Sequence, residues 1–283
     1  MFQRYLDTQT IQSLSANELF RERLHPDILA GKVFCAIRGG YVDFYYRGGR
    51  LFHYQKEFST HKKYASVIQS QSDYISESDF DRNIRLIRDF TEGYEQIKQN
   101  CSLYAGEEAN GVSAVYHANS FVKQEQDIIV LDIEASFRAA EEDRKQDRID
   151  LVLFNKKSGR LRFYEAKHFS NSELWSAVGT RPKVVSQIKR YQTQIAREKD
   201  QIVGQYGNYV NRMNELFGCS LPAPEAIDEY VPLLAFGFDR DQLQGRIKKL
   251  LLEDKSLDGM SYYFVGKISA VNITSMWNEI KCD

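Results

Sequence analysis

Hydrophobic and polar positions change period several times along the 283 residues. Val33 to Arg38, Tyr41 to Tyr46 and Leu51 to Tyr54 are short β-prone runs separated by Gly39-Gly40 and Gly48-Gly49, the pattern of a three-strand meander. In its middle run Tyr41, Asp43 and Tyr45 alternate with Val42, Phe44 and Tyr46, which predicts a sheet with one exposed aromatic face. Ahead of the meander, Ser15-Ala16-Asn17-Glu18 has the form of a capping box before a short helix through Leu24. From Ser78 to Tyr104, Ile84, Ile87, Leu86, Phe90, Tyr94 and Ile97 recur at helical spacings, with Ser78 or Asp79 as the cap. Ala105 to Ser120 fits a loop with a short helix.

The second half alternates strands and helices. Ile128 to Phe137 is an apolar strand, and the charged stretch Arg138 to Asp147 reads as a loop or short helix. Ile149 to Phe154 and Leu161 to Phe169 are two strands broken by Lys156-Lys157-Ser158-Gly159. Ser170-Asn171-Ser172-Glu173 repeats the capping-box pattern and predicts a helix ended by Gly179 and Pro182. Lys183 to about Gln201 is a stronger helix with Val184, Ile188, Tyr191 and Ile195 as its buried stripe. A helix near Tyr209 to Phe217, a strand Pro232 to Phe238, an amphipathic helix Asp241 to Leu252 and a strand Tyr262 to Ile268 follow. This order predicts an α/β fold, a mixed β-sheet flanked by helices, with an N-terminal α+β extension holding the meander. The domains expected are residues 1–80 and 81–283.

Composition narrows the partners. The chain is 42% hydrophobic and 27% charged with a net charge of −1, so a polyanion must be held by a local patch and not by the global field. Cys35, Cys101, Cys219 and Cys282 lie far apart without a C-x-x-C pair, which suits a reducing cytoplasm and gives no zinc ribbon. Met1-Phe2-Gln3-Arg4 opens without an apolar targeting run, and no stretch reaches the ~20 apolar residues of a membrane span. Phosphate-loop, zincin, nucleophile-elbow and dinucleotide-binding motifs are absent, and the five histidines are scattered.

The central hairpin carries the chemistry. If it is symmetric about Lys157 and Ser158, Asp150 sits opposite Glu165 on a shared face, with Cβ atoms about 5 Å apart. Alternation adds Lys167 to that face and turns Ala166 away; Val152, Phe154, Leu161 and Phe163 make up the rest of it. Two carboxylates this close repel and must be desolvated, so a cation has to compensate, and hard oxygen ligands suit Mg²⁺. A plain strand-end ion pair between Lys167 and one acid explains the same spacing, and a one-residue slip would break the pairing. Downstream, Arg181, Lys183, Lys189, Arg190, Arg197 and Lys199 form the densest positive charge near this hairpin, as a phosphate track requires, although a solvated helix face carries the same pattern. Arg38, Arg47, Arg50, His53, His61, Lys62 and Lys63 beside the meander are compatible with stacking bases or tracking phosphates, or with plain core strands next to a protein interface.

Asp150 followed by Glu165-Ala166-Lys167 resembles the signature of the PD-(D/E)xK nuclease superfamily, and Gln187-Ile188-Lys189-Arg190-Tyr191 resembles the Gln-x-x-x-Tyr motif of its RecB-type members. The resemblance covers roughly Ile128 to Tyr191 and a β-rich tail. It implies a restriction-endonuclease-like core and a metal-dependent nuclease, acting on DNA with RNA not excluded, in defence or DNA repair. It further implies that Asp150, Glu165, the Ala166 carbonyl and Glu134 hold Mg²⁺ or Mn²⁺, Glu134 directly or through water; Glu92 or Glu95 would be the alternative to Glu134. Lys167 would orient or deprotonate the attacking water, and Gln187 and Tyr191 would support the site or touch the nucleic acid. The competing expectation is a silent nuclease-like module, with the N-terminal region docking a protein partner or a second copy.

Overall fold

The computed structural model describes residues 2–68, 76–77, 84–137, 148–177, 179–253 and 255–282. The chain divides into two compact units, Tyr5–Asn110 and Met1–Arg4 with Gly111–Asp283. The boundary expected at residue 80 therefore lies thirty residues later, inside the helix Glu107–Ala118. The predicted loop Arg138 to Asp147 and the predicted caps Ser78 and Asp79 lie outside the described residues.

The unit Tyr5–Asn110 holds the meander. Strands β1 (Phe34–Ile37), β2 (Val42–Tyr46), β3 (Gly49–Tyr54) and β4 (Phe58–Ser59) form an antiparallel sheet in that order. Strand positions match the sequence pattern, but the exposed aromatic face does not form. Val42, Asp43, Phe44 and Tyr45 are all buried, Tyr41 meets His53 at a tilt with ring centres 4.8 Å apart, and Asp43 pairs with His53 Nδ1 at 2.9 Å. Helical segments cover what propensity alone left open.

The short helix expected through Leu24 forms, but Asn17 and not Ser15 stands at its start: Asn17 closes helix Thr8–Ala16, and its Oδ1 and carbonyl then accept the N–H groups of Phe20 at 3.4 Å and Arg21 at 3.0 Å. One further expectation fails here. The span from Ser78 is not a single helix: β6 (Ile84–Leu86) pairs antiparallel with β5 (Ser66–Ile68). Asp89 Oδ1 then accepts the N–H groups of Thr91 and Glu92 at 2.8 and 2.9 Å, and the helix begins only at Tyr94, running to Leu103. Ile84 and Leu86 satisfy a period of two as well as one of 3.6, and the strand partner decides.

The other unit carries a mixed sheet of seven strands: β7 (Ile128–Ser136), β8 (Arg148–Asn155), β9 (Arg160–His168), β10 (Ala226–Ile227), β11 (Leu233–Phe236), β12 (Ser261–Val265) and β13 (Lys281–Cys282). Their order is β13-β12-β11-β9-β8-β7, with β10 beside the start of β9. β7, β8 and β9 are antiparallel, whereas β9, β11 and β12 run parallel, so the α/β expectation with a mixed sheet holds. The segment after β9 forms only a short turn, Ser172–Leu174, and not the predicted helix. Lys183–Phe217 is one helix of 35 residues, joining the two predicted ones, and ends at Gly218 in the left-handed conformation. Ile202, Tyr206, Tyr209, Val210 and Met213 continue its buried stripe, so packing outweighs the helix penalty of Gly204 and Gly207. The predicted amphipathic helix begins at an Asp239–Gln242 capping box and continues with wider π-type turns through Leu243–Glu253. Among the described residues, no helix is long and apolar enough to cross a membrane.

A partly buried ion pair ties the unit Tyr5–Asn110 together. Lys98 Nζ lies 2.6 Å from Asp27 Oδ2, and the Tyr94 hydroxyl donates to the same oxygen at 2.9 Å. Burial by itself would raise the Asp27 carboxyl, but these hydrogen bonds and the Lys98 charge outweigh it and hold it below its ordinary value. Its contribution is therefore fully present above the unfolded carboxylate range and is lost as pH falls through the depressed value. Asp27→Asn should cost about 2 kcal/mol in denaturant unfolding at pH 7, and its deficit against wild type should shrink as pH drops below about 4.

Candidate active site

The hairpin pairs in the register its turn predicts: Leu151 with Tyr164, Val152 with Phe163, Phe154 with Leu161. Leu151–Tyr164 is the last ladder pair before the two strands separate. Beyond it, the Asp150 carboxylate accepts the Ala166 N–H at 2.7 Å, while the Glu165 N–H turns the other way, to the Pro232 carbonyl at 3.1 Å. Asp150 is thus fixed against the Glu165-Ala166 peptide, at the point where β9 passes from an antiparallel to a parallel neighbour.

Glu165 and Lys167 are 1% and 5% exposed, in the middle of the sheet. Two charges this deep must be paired, and Lys167 Nζ lies 2.8 Å from Glu165 Oε1. A third acid joins them. Asn171 Oδ1 accepts the Glu173 N–H at 2.9 Å, and this turn brings Glu173 Oε2 to 3.1 Å from Lys167 Nζ. Sequence reasoning missed Glu173 because it took Ser170 to Glu173 as a helix cap; the signal available was only its distance of six residues from Lys167. His168 follows Lys167 on the strand, and its Nδ1 lies 2.8 Å from Ser170 Oγ. It stacks edge-on to Phe236, where a Cβ on Gly237 would lie 2.1 Å from its Nε2.

Glu134 occupies the next strand. The β7–β8 register is the same on both sides of it, Ile133 with Leu151 and Ala135 with Ile149, which sets Glu134 across from Asp150. Its backbone is left-handed, with φ of 50°, and its carboxylate takes a 2.9 Å ion pair from Arg148. Among the described residues, no three His, Cys, Asp or Glu side chains gather into a set able to hold a metal ion. Of the predicted ligands, the Asp150 carboxylate is bonded to the Ala166 N–H and Glu165 to Lys167. Hard carboxylate oxygens of this kind suit Mg²⁺, which is commonly held by one or two carboxylates plus substrate phosphate. Glu92 and Glu95 belong to the other unit, and Glu95 pairs with Lys98 at 3.2 Å.

The long helix lies on the same face. Opposed residues share a face, so Asp132, Val152 and Phe163 face one way, and Phe163 and Asp132 both meet Tyr206, the latter at 2.9 Å. Asp132, fully buried, also pairs with Arg4 Nε at 2.8 Å, a role its sequence context did not signal. Nearer the helix start, the Tyr191 hydroxyl donates to the Arg148 carbonyl at 2.6 Å and accepts from Gln187 Nε2 at 2.7 Å. The Gln-x-x-x-Tyr pair therefore clamps β8 two residues before Asp150. Of the predicted basic track, Lys183 and Lys189 are exposed and Arg190 is half-buried, while Arg197 pairs with Glu198 and Lys199 with Glu229.

No family model, no curated protein and no solved structure matches this chain.

Tyr191→Phe removes the hydroxyl from both of its hydrogen bonds at a fully buried position. It should cost about 1–3 kcal/mol in denaturant unfolding, and Gln187→Ala, at a half-buried position, should cost less.

Proposed function

We propose that this protein is a metal-dependent nuclease that hydrolyses phosphodiester bonds, with DNA as the substrate, and that the unit carrying the mixed sheet is a restriction-endonuclease-like domain. One observation carries the reading: Asp150 fixed to the Ala166 amide beside a buried Glu165–Lys167 pair on the adjoining strand. The antiparallel β7-β8-β9 set followed by parallel β11, with the long helix over the acidic face, supports the fold assignment.

Asp150, Glu165 and the Ala166 carbonyl would hold Mg²⁺ or Mn²⁺. A divalent ion supplies Lewis-acid charge stabilisation and a more acidic bound water. Asp150, Glu165, Glu173 and Lys167 formally sum to two negative charges, which suits such an ion. Lys167 positions a water against the phosphorus and offsets charge developing on the phosphate oxygens. Tyr191 and Gln187 fix the start of β8, and so the approach of Asp150, by holding the Arg148 carbonyl. Lys183, Lys189 and Arg190 provide charge for the phosphate backbone. The proposed setting is a reducing cytoplasm, in defence or DNA repair.

A second reading, a silent nucleic-acid-binding or assembly module, is favoured by the closure of Lys167 between two acids and by the turn of Glu134 to Arg148. Thermal melting separates the two. The catalytic reading expects Mg²⁺ or Mn²⁺ to raise the melting temperature of wild type but not of Asp150→Asn.

The decisive experiment incubates linear, circular and single-stranded DNA, and RNA, with and without divalent metal. Wild type should cleave DNA only with metal, and Asp150→Asn or Lys167→Ala should abolish cleavage while circular dichroism stays that of a folded chain. Cleavage by a variant at the wild-type rate would refute the assignment.

A further inference from the structure

Beyond Lys167 the chain builds a small aromatic step. Alternation along β9 puts Phe169 on the face of Glu165 and Lys167, and the Phe169 N–H still bonds the Phe236 carbonyl at 2.7 Å, so the strand direction persists there. The turn that brings Glu173 to Lys167 delivers Trp175 next. The indole Nε1–H donates to the Phe169 carbonyl at 2.9 Å, and the two rings meet edge to face with centres 4.9 Å apart. Buried Leu174 anchors the turn from below. From the π-type helix, Arg246 lays its guanidinium over the indole at 4.0 Å, with Phe169 at 6.0 Å, while its side chain remains exposed. Phe169 and Trp175 are themselves half-buried, each keeping surface open to solvent.

We infer that Phe169, Trp175 and Arg246 form a stacking subsite for an unpaired nucleobase next to the scissile phosphate, so that the substrate is single-stranded nucleic acid or a frayed end. The inference rests on the nuclease reading for what occupies the neighbouring acidic site. A fixed indole gives a flat π face, and a guanidinium gives both a second stacking plane and donors for phosphate. An exposed cation–π contact is weaker than a base–aromatic stack, so a base can take its place on the indole while Arg246 turns to the backbone. Paired bases hide their faces within the duplex, so this step engages bases that are already unstacked. Lys183 and Lys189, exposed on the long helix, supply sequence-independent phosphate contacts that do not distinguish the two forms.

The test is made in EDTA, where no cleavage occurs, with fluorescently labelled oligothymidylate and a blunt duplex of equal length. By anisotropy, Trp175→Ala and Arg246→Ala should each weaken single-strand binding by about tenfold, the scale of one lost base–aromatic stack. Trp175→Phe should restore most of what Trp175→Ala loses, and duplex binding should be unchanged in both Trp175 variants. The chain has only two tryptophans and Trp277 is buried. In Trp277→Phe, therefore, single strand but not duplex should quench the remaining indole fluorescence. Single-strand affinity unaltered by Trp175→Ala, equal losses for both probes, or binding to neither would overturn the inference. Selective single-strand binding by a wild type that cleaves nothing when metal is added would instead sink the nuclease reading and leave the subsite standing.

Discussion

The hydrogen bond from the Ala166 amide to the Asp150 carboxylate is what the site depends on. A β-strand spends its amides on its neighbours, and at Ala166 the neighbouring strand contributes a side chain in place of further ladder pairing. That single contact brings a carboxylate from β8 to the Glu165-Ala166 peptide. It also marks where β9 leaves one partner for another, since Glu165 to His168 pair in parallel with Leu233 to Phe236. The ladder with β8 ends at this point, and the buried polar groups Glu165 and Lys167 lie just past it. Glu165 and Lys167 would cost several kcal/mol each if buried alone, so their mutual pairing follows directly from their depth in the sheet.

The long helix holds this part of the sheet by two different means along its length. Its later turns are packing: Ile202, Tyr206, Val210 and Met213 sit on the sheet, and Tyr206 shares Asp132 with Arg4. Its first turns are directional, because a hydroxyl bonded to the Arg148 carbonyl fixes a backbone atom and not just a surface. The aromatic step at Trp175 follows the same logic, with its indole tied to a main-chain oxygen at the end of β9.

Much of this was legible. The four-residue polar turn fixed the hairpin register as far as Leu151 and Tyr164, because a slip of one residue would have put Val152, Phe154 and Phe163 on the wrong side; past that pair, alternation sets Glu165 and Lys167 on one face. The helical spacing of Gln187 and Tyr191 placed them together as well. Contacts made by residues without a pattern were not legible: Glu173 reaches Lys167 through a turn, and Arg4 reaches Asp132 across 128 positions. Burial was misjudged where alternation was trusted alone. Asp43 and Tyr45 follow a strand period, but the period does not say what covers a face. The two helices expected at Lys183 to about Gln201 and near Tyr209 to Phe217 are one, because the apolar stripe continues across Gly204 and Gly207.

A buried ion pair is poor evidence for stability, since well-packed apolar residues in its place are often neutral or better. The arrangement around Lys167 is therefore hard to explain as scaffolding. A central strand needs only apolar side chains on this face, as Phe163 two residues earlier shows. Putting an ammonium there obliges the chain to provide Glu165 beside it and Glu173 above it, and holding Glu173 takes a dedicated Asn171 turn. None of these groups improves the core. What they create is a charged spot, shielded from bulk water, where an electrostatic interaction is stronger than at the surface. Under the proposed nuclease function, the excess of carboxylates over this one ammonium is what would draw a divalent cation and its anionic substrate to the spot.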